Sequence, residues 1–194
     1  DVSQAQLDAA QTRLQHAFQR LVAKEKLTAA QAEGSLARLQ FSANLTDLAQ
    51  AHLIVESATE NEAVKTRIFQ SLLPHLHPDA LLATNTSSLS ITRLAAATDR
   101  PERFIGLHFM NPVPVMALVE LTPSLSTSDE TVALVRGFGE RLGKTVVVAK
   151  DQAGFIVNRL VIPYLCAAIR LLDEGFASRE DIDTAMTLGM NHPT

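Results

Sequence analysis

The fold of this chain is decided by one stretch, Gly106-Leu107-His108-Phe109-Met110-Asn111-Pro112-Val113-Pro114-Val115-Met116, which continues into Val119-Glu120. An apolar run leads into the stretch at residues 104–109, and a second apolar run leads out of it at residues 116–121. If the two runs pair as antiparallel strands about Pro114, His108 and Glu120 lie opposite each other and point to the same face of the sheet. A carboxylate beside an imidazole fixes the tautomer of the ring and raises its basicity, as a general base requires. A histidine near a glutamate at a strand end is more often structural, so the pair alone leaves both roles open.

Short apolar strands alternate with helical patterns on both sides of this hairpin. A helix with Val64, Ile68 and Leu72 on one face separates the first two strands and stops before Pro74. This β-α-β-α order predicts an α/β fold, in which helices cover both faces of a doubly wound, mostly parallel sheet and the antiparallel hairpin lies near one edge. The predicted strands lie at residues 53–55, 81–84, 104–108, 116–121 and 145–148.

The character of the sequence changes after Lys150. Residues 154–172 form a long apolar helical pattern that Pro163 interrupts, and Ser178 begins a further helix that runs up to Gly189. No strand pattern follows Lys150. We therefore expect an α/β domain at residues 1–150 and the start of an all-helical C-terminal domain at residues 151–194.

Polar side chains follow three of the predicted strands at the points where the strands end. Residues 56–60 follow the first strand, residues 85–88 follow the second, and His108 ends the third. Because ligands bind beyond the carboxyl ends of the strands in an open α/β sheet, these groups should line one rim. Asp1 would join this rim if it ended a further strand, where a carboxylate binds the ribose of a dinucleotide. An acidic residue at the start of a helix is an equally good explanation of Asp1.

The composition excludes several classes of function. With 194 residues the chain is long enough for a core of its own, and its net charge of −4 and scattered basic residues argue against nucleic-acid binding. No apolar run reaches the length of a membrane span, so we expect a soluble protein without a membrane partner. His75 and His77 alternate as metal ligands sometimes do, but no cluster accompanies them and no metal site is predicted. Cys166, the single cysteine, is expected to be a small buried hydrophobe.

Four motifs occur together in this chain and in a fixed order. They are residues 85–91 (Asn-Thr-Ser-Ser-Leu-Ser-Ile), residues 106–120, residues 154–159 (Gly-Phe-Ile-Val-Asn-Arg) and residues 180–186 with the Gly189 and His192-Pro193 that follow. Together these motifs resemble the L-3-hydroxyacyl-CoA dehydrogenase family over nearly the whole chain. The resemblance implies a Rossmann-like NAD-binding domain at residues 1–150 and the start of a helical substrate and dimerisation domain at residues 151–194. It also implies NAD as the cofactor, an acyl-CoA substrate and a homodimer. The alanine-rich composition and the lack of a transit segment favour a cytoplasmic location or, in a eukaryote, the mitochondrial matrix.

The resemblance assigns catalytic and substrate-binding roles position by position. His108 resembles the base that takes the proton of the substrate's 3-hydroxyl, and Glu120 resembles the partner that orients the imidazole. Ser87 resembles the hydroxyl that binds the substrate's oxygen, and Asn158 resembles the amide that reaches the reacting group from the helical domain. Asn111 is a further candidate for the substrate site, although capping the turn before the following proline explains it at least as well.

The resemblance also implies residues that hold the cofactor. Glu60 and Asn85 match positions that bind NAD, and Lys65 matches a position on its nicotinamide side. Asp1 matches the carboxylate that binds the ribose. The residues just before Glu60 depart from the family's usual pattern, which weakens that match.

Two parts of the family's pattern are missing from this sequence. The phosphate-binding loop, Gly-x-Gly-x-x-Gly, would precede Asp1, and the helical domain would continue beyond His192-Pro193. Because that loop sets a helix N-terminus against the pyrophosphate, we expect the chain as given to bind NAD poorly. Two alternatives stay open: a dehydrogenase of a CoA-free hydroxy acid, such as a sugar acid or carnitine, and a non-catalytic, crystallin-like structural relative.

Overall fold

The computed structural model describes residues 3–192 of the chain, so the predicted cofactor residue Asp1 lies outside it. The strands and α-helices follow the alternation predicted from the sequence. The strands are β1 (Leu53–Glu56), β2 (Leu81–Thr84), β3 (Phe104–Phe109), β4 (Leu118–Pro123) and β5 (Thr145–Val148). The helices are α1 (Gln4–Ala23), α2 (Ala29–Leu36), α3 (Glu62–Leu72), α4 (Ile91–Ala96), α5 (Asp129–Arg141), α6 (Val157–Asp173) and α7 (Arg179–Met190).

Within residues 3–192, the strands form one sheet in the order β1-β2-β3-β4-β5. The pairs β1–β2, β2–β3 and β4–β5 are parallel, and the pair β3–β4 is antiparallel. The predicted mostly parallel sheet with an antiparallel hairpin is therefore confirmed, and β5 lies outside the hairpin at the edge of the sheet. Because β1, β2 and β3 run in the same direction, their carboxyl ends meet at one rim.

Apolar side chains pack on both faces of the sheet. On one face Phe104 of β3 meets Phe69 of α3, with the ring centroids 4.9 Å apart. On the other face Leu107 of β3 packs with Val135 of α5. Because side chains alternate along a strand, His108 lies on the same face as Phe104. The imidazole is therefore on the side of the sheet that α3 and α4 cover.

Gly106 lets α4 pack closely on this face. A Cβ atom at Gly106 would lie 2.8 Å from Cδ1 of Ile91 and 3.1 Å from Cβ of Thr122. These distances are shorter than van der Waals contact, so a larger residue would push α4 away from the sheet. The close approach fixes α4, and the loop before it, against the strand that carries His108.

Asp151 fastens the connection between β5 and α6 to the start of α4. Its carboxylate accepts hydrogen bonds from the Ser90 hydroxyl at 3.1 Å and from the N–H groups of Ile91 and Thr92 at 2.9 and 2.7 Å. Burial raises the pKa of Asp151, but these hydrogen bonds outweigh burial and hold the pKa below its ordinary value. The chain that leads into α6 is thus anchored beside the loop that follows β2.

The helices α6 and α7 expose many of their apolar side chains. No residue of α6 or α7, both of which lie wholly inside the described part of the chain, is buried. Leu160 and Ile169 of α6 are 70% and 65% exposed, and Leu188 of α7 is 81% exposed. Cys166 is exposed as well, so the buried position expected for it is wrong: nothing in the described chain covers this part of α6. Between residues 3 and 192, no helix combines the length and apolar character that crossing a membrane requires.

Candidate functional site

The β3–β4 hairpin brings His108 and Glu120 together. The two residues are partners in the antiparallel ladder, and Nδ1 of His108 lies 2.8 Å from Oε2 of Glu120. His108 is 8% exposed and Glu120 is fully buried. The cross-strand pairing predicted from the sequence is therefore confirmed, while the catalytic roles stay a prediction. Because Glu120 faces Nδ1, the second ring nitrogen, Nε2, is the atom that can take up a proton.

The second oxygen of Glu120 binds the start of α6. Oε1 accepts hydrogen bonds from the N–H groups of Ile156 at 3.0 Å and Val157 at 2.9 Å. The first N–H groups of a helix have no partner inside the helix, and a negative charge suits the helix dipole there. Both oxygens of this buried carboxylate are thus hydrogen-bonded, as a buried charge requires. Glu120 joins the imidazole to the helical segment.

Glu60 organises the loop that carries Ser87. Its Oε1 accepts hydrogen bonds from the hydroxyls of Thr86 (2.6 Å), Ser87 (3.2 Å) and Ser88 (3.0 Å) and from the Ser87 N–H (3.0 Å). Burial raises the pKa of Glu60, but these hydrogen bonds and the nearby Lys65 ammonium outweigh burial and lower the pKa. The structure therefore brings the predicted residues Glu60 and Ser87 into one unit at the ends of β1 and β2.

We expect Glu60→Gln to destabilise the protein at neutral pH by on the order of 1 kcal/mol, because glutamine keeps an acceptor but loses the charge. The figure is small because the Glu60 side chain is 43% exposed and water screens it. Since the pKa of Glu60 is lower in the folded than in the unfolded chain, its charge stabilises the fold above the ordinary value of 4.5. This contribution is lost as the pH falls through the folded-state pKa. Urea unfolding at neutral and at acidic pH measures both effects.

Glu33→Gln is the control for this prediction. Glu33 is exposed on α2, so its replacement removes the same charge from a solvated position. The control should change the unfolding free energy little at either pH. A Glu60→Gln variant that is as stable as the wild type at neutral pH, or that stays equally destabilised in acid, contradicts the role given to Glu60.

Asn85 ties the ends of β2 and β3 together. Its side-chain oxygen accepts a hydrogen bond from the N–H of Phe109 at 2.8 Å, and its own N–H donates to the carbonyl of Glu56 at 2.8 Å. The Nδ2 group is the part of the side chain that does not take part in these bonds. Asn85 therefore lies at the rim, as predicted, and holds the strand that carries His108 next to the loop that carries Ser87.

Lys65 lies beneath the rim rather than on it. Its Nζ is 2.5 Å from Oε2 of Glu56 and 4.0 Å from Oε2 of Glu60, and the side chains of Lys65 and Glu56 are only 1% and 2% exposed. Glu56 also accepts hydrogen bonds from the Thr84 hydroxyl and the Ala58 N–H. Because the ammonium group is this deeply buried, it affects the rim through its attraction to the Glu60 carboxylate. The contact with the nicotinamide side inferred from the resemblance stays a prediction.

A cleft of about 500 Å³ lies between the Ser87 loop and α6. Ser87 lines one wall, and Asn158 lines the other together with Arg159. The structure thus places the two predicted substrate residues on facing walls. Asn111 is exposed in the loop after β3 and is not among the residues that line this cleft.

Comparison with known proteins identifies the family that shares this arrangement. The family model described as "3-hydroxyacyl-CoA dehydrogenase, NAD binding domain" matches residues 1–152, and the model of the C-terminal domain of the same family matches residues 154–194. This chain belongs to the 3-hydroxyacyl-CoA dehydrogenase family. The Rossmann-like, NAD-binding character predicted for the sheet domain is confirmed by the same matches.

Individual relatives in the family are similar over most or all of this chain. The 3-hydroxybutyryl-CoA dehydrogenase of Bradyrhizobium diazoefficiens is 47% identical over 193 residues, which are 100% of this chain and 66% of the relative. The mitochondrial hydroxyacyl-coenzyme A dehydrogenase of Homo sapiens is 52% identical over 141 residues, which are 73% of this chain and 45% of the relative. The crystal structure of (S)-3-hydroxybutyryl-CoA dehydrogenase from Ralstonia eutropha superposes with a TM-score of 0.97 at 44% identity, covering 100% of this chain and 68% of that one. The chain therefore spans about two thirds of the length of these bacterial relatives.

Two residues around the site, Asp151 and Phe155, were not predicted from the sequence, and Glu56 was expected at the rim without its partner. Glu56 ends β1 and pairs with Lys65 on α3, a combination that sequence spacing alone does not reveal. Asp151 caps a helix that lies 60 residues earlier in the chain. Phe155 belongs to a motif that supports the resemblance, and the signal that could have found it is a large aromatic residue directly after a glycine and just before a helix.

Proposed function

We propose that this chain carries the base and the substrate contacts of an NAD-dependent dehydrogenase that oxidises an (S)-3-hydroxyacyl-CoA to the 3-oxoacyl-CoA. The observation that carries the proposal is the buried His108–Glu120 pair, which lies at the rim where open α/β sheets bind their ligands. The names of the relatives support the substrate class, since they are 3-hydroxybutyryl-CoA and hydroxyacyl-coenzyme A dehydrogenases.

In the proposed reaction, His108 takes the proton of the substrate's 3-hydroxyl on Nε2. The imidazolium that forms keeps its Nδ1–H on Glu120, 2.8 Å away, and the carboxylate stabilises the new positive charge. Ser87 and Asn158 bind the reacting oxygen from the two walls of the cleft. The chemistry that bound NAD supplies is acceptance of the hydride from C3 of the substrate, the carbon that bears this hydroxyl. Asn111, which is exposed in the loop after β3 and is not among the residues that line the cleft, is proposed as a further substrate contact.

The residues at the rim fit the nicotinamide half of the cofactor. The polar groups of Glu60, Ser87 and Asn85 are fixed by hydrogen bonds at the carboxyl ends of β1 and β2, where such sheets bind dinucleotides. In this proposal Glu60 and Asn85 contact the cofactor, Lys65 supports Glu60 from below, and Asp1 binds the ribose. A Gly-x-Gly-x-x-Gly loop does not occur in this sequence, so we assign the pyrophosphate to no residue of it.

The two parts of the chain have different proposed roles. Residues 1–150 form the NAD-binding domain, and residues 151–194 begin the domain that contacts substrate and forms a homodimer. The exposed apolar side chains of α6 and α7 support a dimer through these helices. Sedimentation equilibrium at micromolar concentration tests the dimer, and a monomer would contradict it. The proposed location is the cytoplasm or, for a eukaryotic source, the mitochondrial matrix; the name of the human relative, which includes the word mitochondrial, supports the second.

The experiment that tests the reaction follows NADH formation after a hydroxy compound is added to the purified protein with NAD in large excess, because NAD is expected to bind this chain poorly. We expect turnover with 3-hydroxybutyryl-CoA and little or none with free 3-hydroxybutyrate, a sugar acid or carnitine. NADH formed only from a free hydroxy acid would replace the acyl-CoA proposal with the CoA-free alternative. If an NAD titration shows binding and no compound gives NADH, the chain is a non-catalytic relative.

A further inference from the structure

The turn between the sheet and α6 has a backbone that few sequences adopt. Gly154 has φ +79° and the next residue, Phe155, has φ +45°. A Cβ atom at Gly154 would lie 2.8 Å from the backbone nitrogen of Arg159, so glycine is required at the first position. A bulky residue in the left-handed region is an outlier, because its Cβ approaches the following carbonyl. Some other contact therefore holds Phe155 in this conformation.

That contact is the packing of the Phe155 ring beside the imidazole. Phe155 is 4% exposed, and its ring centroid lies 5.7 Å from that of His108 with an interplanar angle of 61°, an edge-on arrangement. The same ring belongs to the apolar cluster that includes Phe104 and Leu94. The aromatic ring thus covers part of the imidazole and joins it to the core, which keeps water from that part of the ring.

The residues that follow Phe155 contact the rest of the site in sequence. The N–H groups of Ile156 and Val157 donate to Oε1 of Glu120, and Asn158 lines the cleft opposite Ser87. One short turn therefore places a ring on the base, two donors on the carboxylate that orients the base, and an amide in the cleft. If the backbone turned one residue earlier or later, the ring, the two N–H donors and the amide would all be displaced.

We propose that Phe155 is a positioning residue for the dehydrogenase reaction proposed above. Its ring holds the His108 imidazole in the one orientation that keeps Nδ1 on Glu120 and leaves Nε2 free for the substrate's proton. Without the ring, the imidazole turns about its side-chain bonds and exchanges the Glu120 contact for water. The role rests on the proposed function for its meaning in catalysis, but the orientation of His108 is a property of the protein alone.

The test compares Phe155→Gly and Phe155→Leu with the control Phe69→Leu. Glycine accepts the left-handed backbone, so Phe155→Gly removes the ring without straining the turn, although a second glycine makes the turn more flexible. Leucine refills much of the apolar volume. Phe69 is fully buried in the same cluster but contacts Phe104 rather than His108, so Phe69→Leu is the control that disturbs the same core, as Phe155→Leu does, without changing a residue beside the imidazole. ¹⁵N NMR of the histidine rings, with His108 assigned from a His108→Gln sample, reports the tautomer without any substrate or cofactor.

The expected result has two parts. In the wild type and in Phe69→Leu, the ¹⁵N shifts show a proton on Nδ1 of His108, whereas in Phe155→Gly they move to an average of the two tautomers. In the active protein kcat falls by about tenfold or more in Phe155→Gly with the KM values nearly unchanged, as misplacement of a catalytic group by a fraction of an ångström predicts, and Phe155→Leu recovers part of the loss.

A wild-type His108 spectrum in Phe155→Gly overturns the proposal, and so does a loss of kcat in Phe69→Leu that matches the loss in Phe155→Gly. If the spectra change as expected while no variant and no wild-type protein forms NADH, the positioning role stands and the proposed reaction fails. The two proposals therefore fail separately.

Discussion

Replacing His108 by glutamine lowers kcat for 3-hydroxyacyl-CoA oxidation by about 100-fold or more, because the amide cannot take the proton of the 3-hydroxyl as hydride leaves. Glutamine is close to histidine in size and still reaches Glu120, from which Nδ1 of the imidazole lies 2.8 Å away. The hairpin should therefore keep its register, and binding of NAD should change little. Steady-state kinetics and an NAD titration of the same preparation separate the two effects.

The control for this variant is His75→Gln. His75 is exposed in the segment between α3 and β2, far along the chain from the hairpin, and its replacement removes an imidazole that has no part in the proposed site. This control should turn over at the wild-type rate. Near-normal turnover of His108→Gln would remove His108 from the mechanism, and a parallel loss of NAD binding would mean that the variant disturbs the rim rather than the proton transfer.

The sequence was sufficient for the parts of the site that depend on local spacing. His108 and Glu120 are each six residues from Pro114, and the ladder pairs them as this symmetry predicts. Parallel strands present their carboxyl ends at the same edge of a sheet. This rule predicts that the 56–60 and 85–88 segments meet at the rim. Both arguments need only the period of a strand and the direction of the chain.

The sequence was insufficient where a residue acts across the fold. Lys65 matched a cofactor position by resemblance, yet the structure buries its ammonium against Glu56, and no pattern in the sequence distinguishes a lysine on the rim from one beneath it. Asp151 binds the start of α4, which lies far from it along the chain. The apolar helix around Cys166 predicts a core residue, but Cys166 is exposed, because an apolar helix face is buried only where a partner covers it.

A second large effect is expected from Glu120→Gln. Glu120 accepts hydrogen bonds on both carboxylate oxygens, from His108 on one and from the start of α6 on the other, whereas an amide has only one oxygen. If the amide oxygen stays on the N–H groups of Ile156 and Val157, the amide NH₂ faces Nδ1 of His108. An imidazole that accepts a hydrogen bond on Nδ1 carries its proton on Nε2, the atom that has to accept the substrate's proton. The base is then in the wrong tautomer, and kcat should fall by about 10²- to 10⁴-fold, the range that positioned proton transfer contributes, with the upper value seen when the orienting carboxylate of a catalytic triad becomes an amide.

The opposite orientation of the glutamine has a different cost. With its oxygen on His108, the amide NH₂ meets the two N–H donors at the start of α6, and these part-buried groups lose their acceptor. A fully buried donor left without a partner costs about 1–3 kcal/mol and a part-buried one costs less, so the variant would keep the tautomer and lose some stability instead. ¹⁵N NMR of His108 and thermal unfolding together show which orientation the side chain takes.

The double variant His108→Gln/Glu120→Gln decides whether Glu120 acts on the reaction through the imidazole. Two residues that act as a unit show non-additive losses, so the double variant should turn over no more slowly than His108→Gln alone. Losses that multiply would mean that Glu120 stabilises the reacting groups by a route that does not pass through His108. A single Glu120→Gln variant with kcat within about threefold of the wild type would mean that the buried pair is structural, the role that is commoner for a histidine beside a glutamate at the end of a strand.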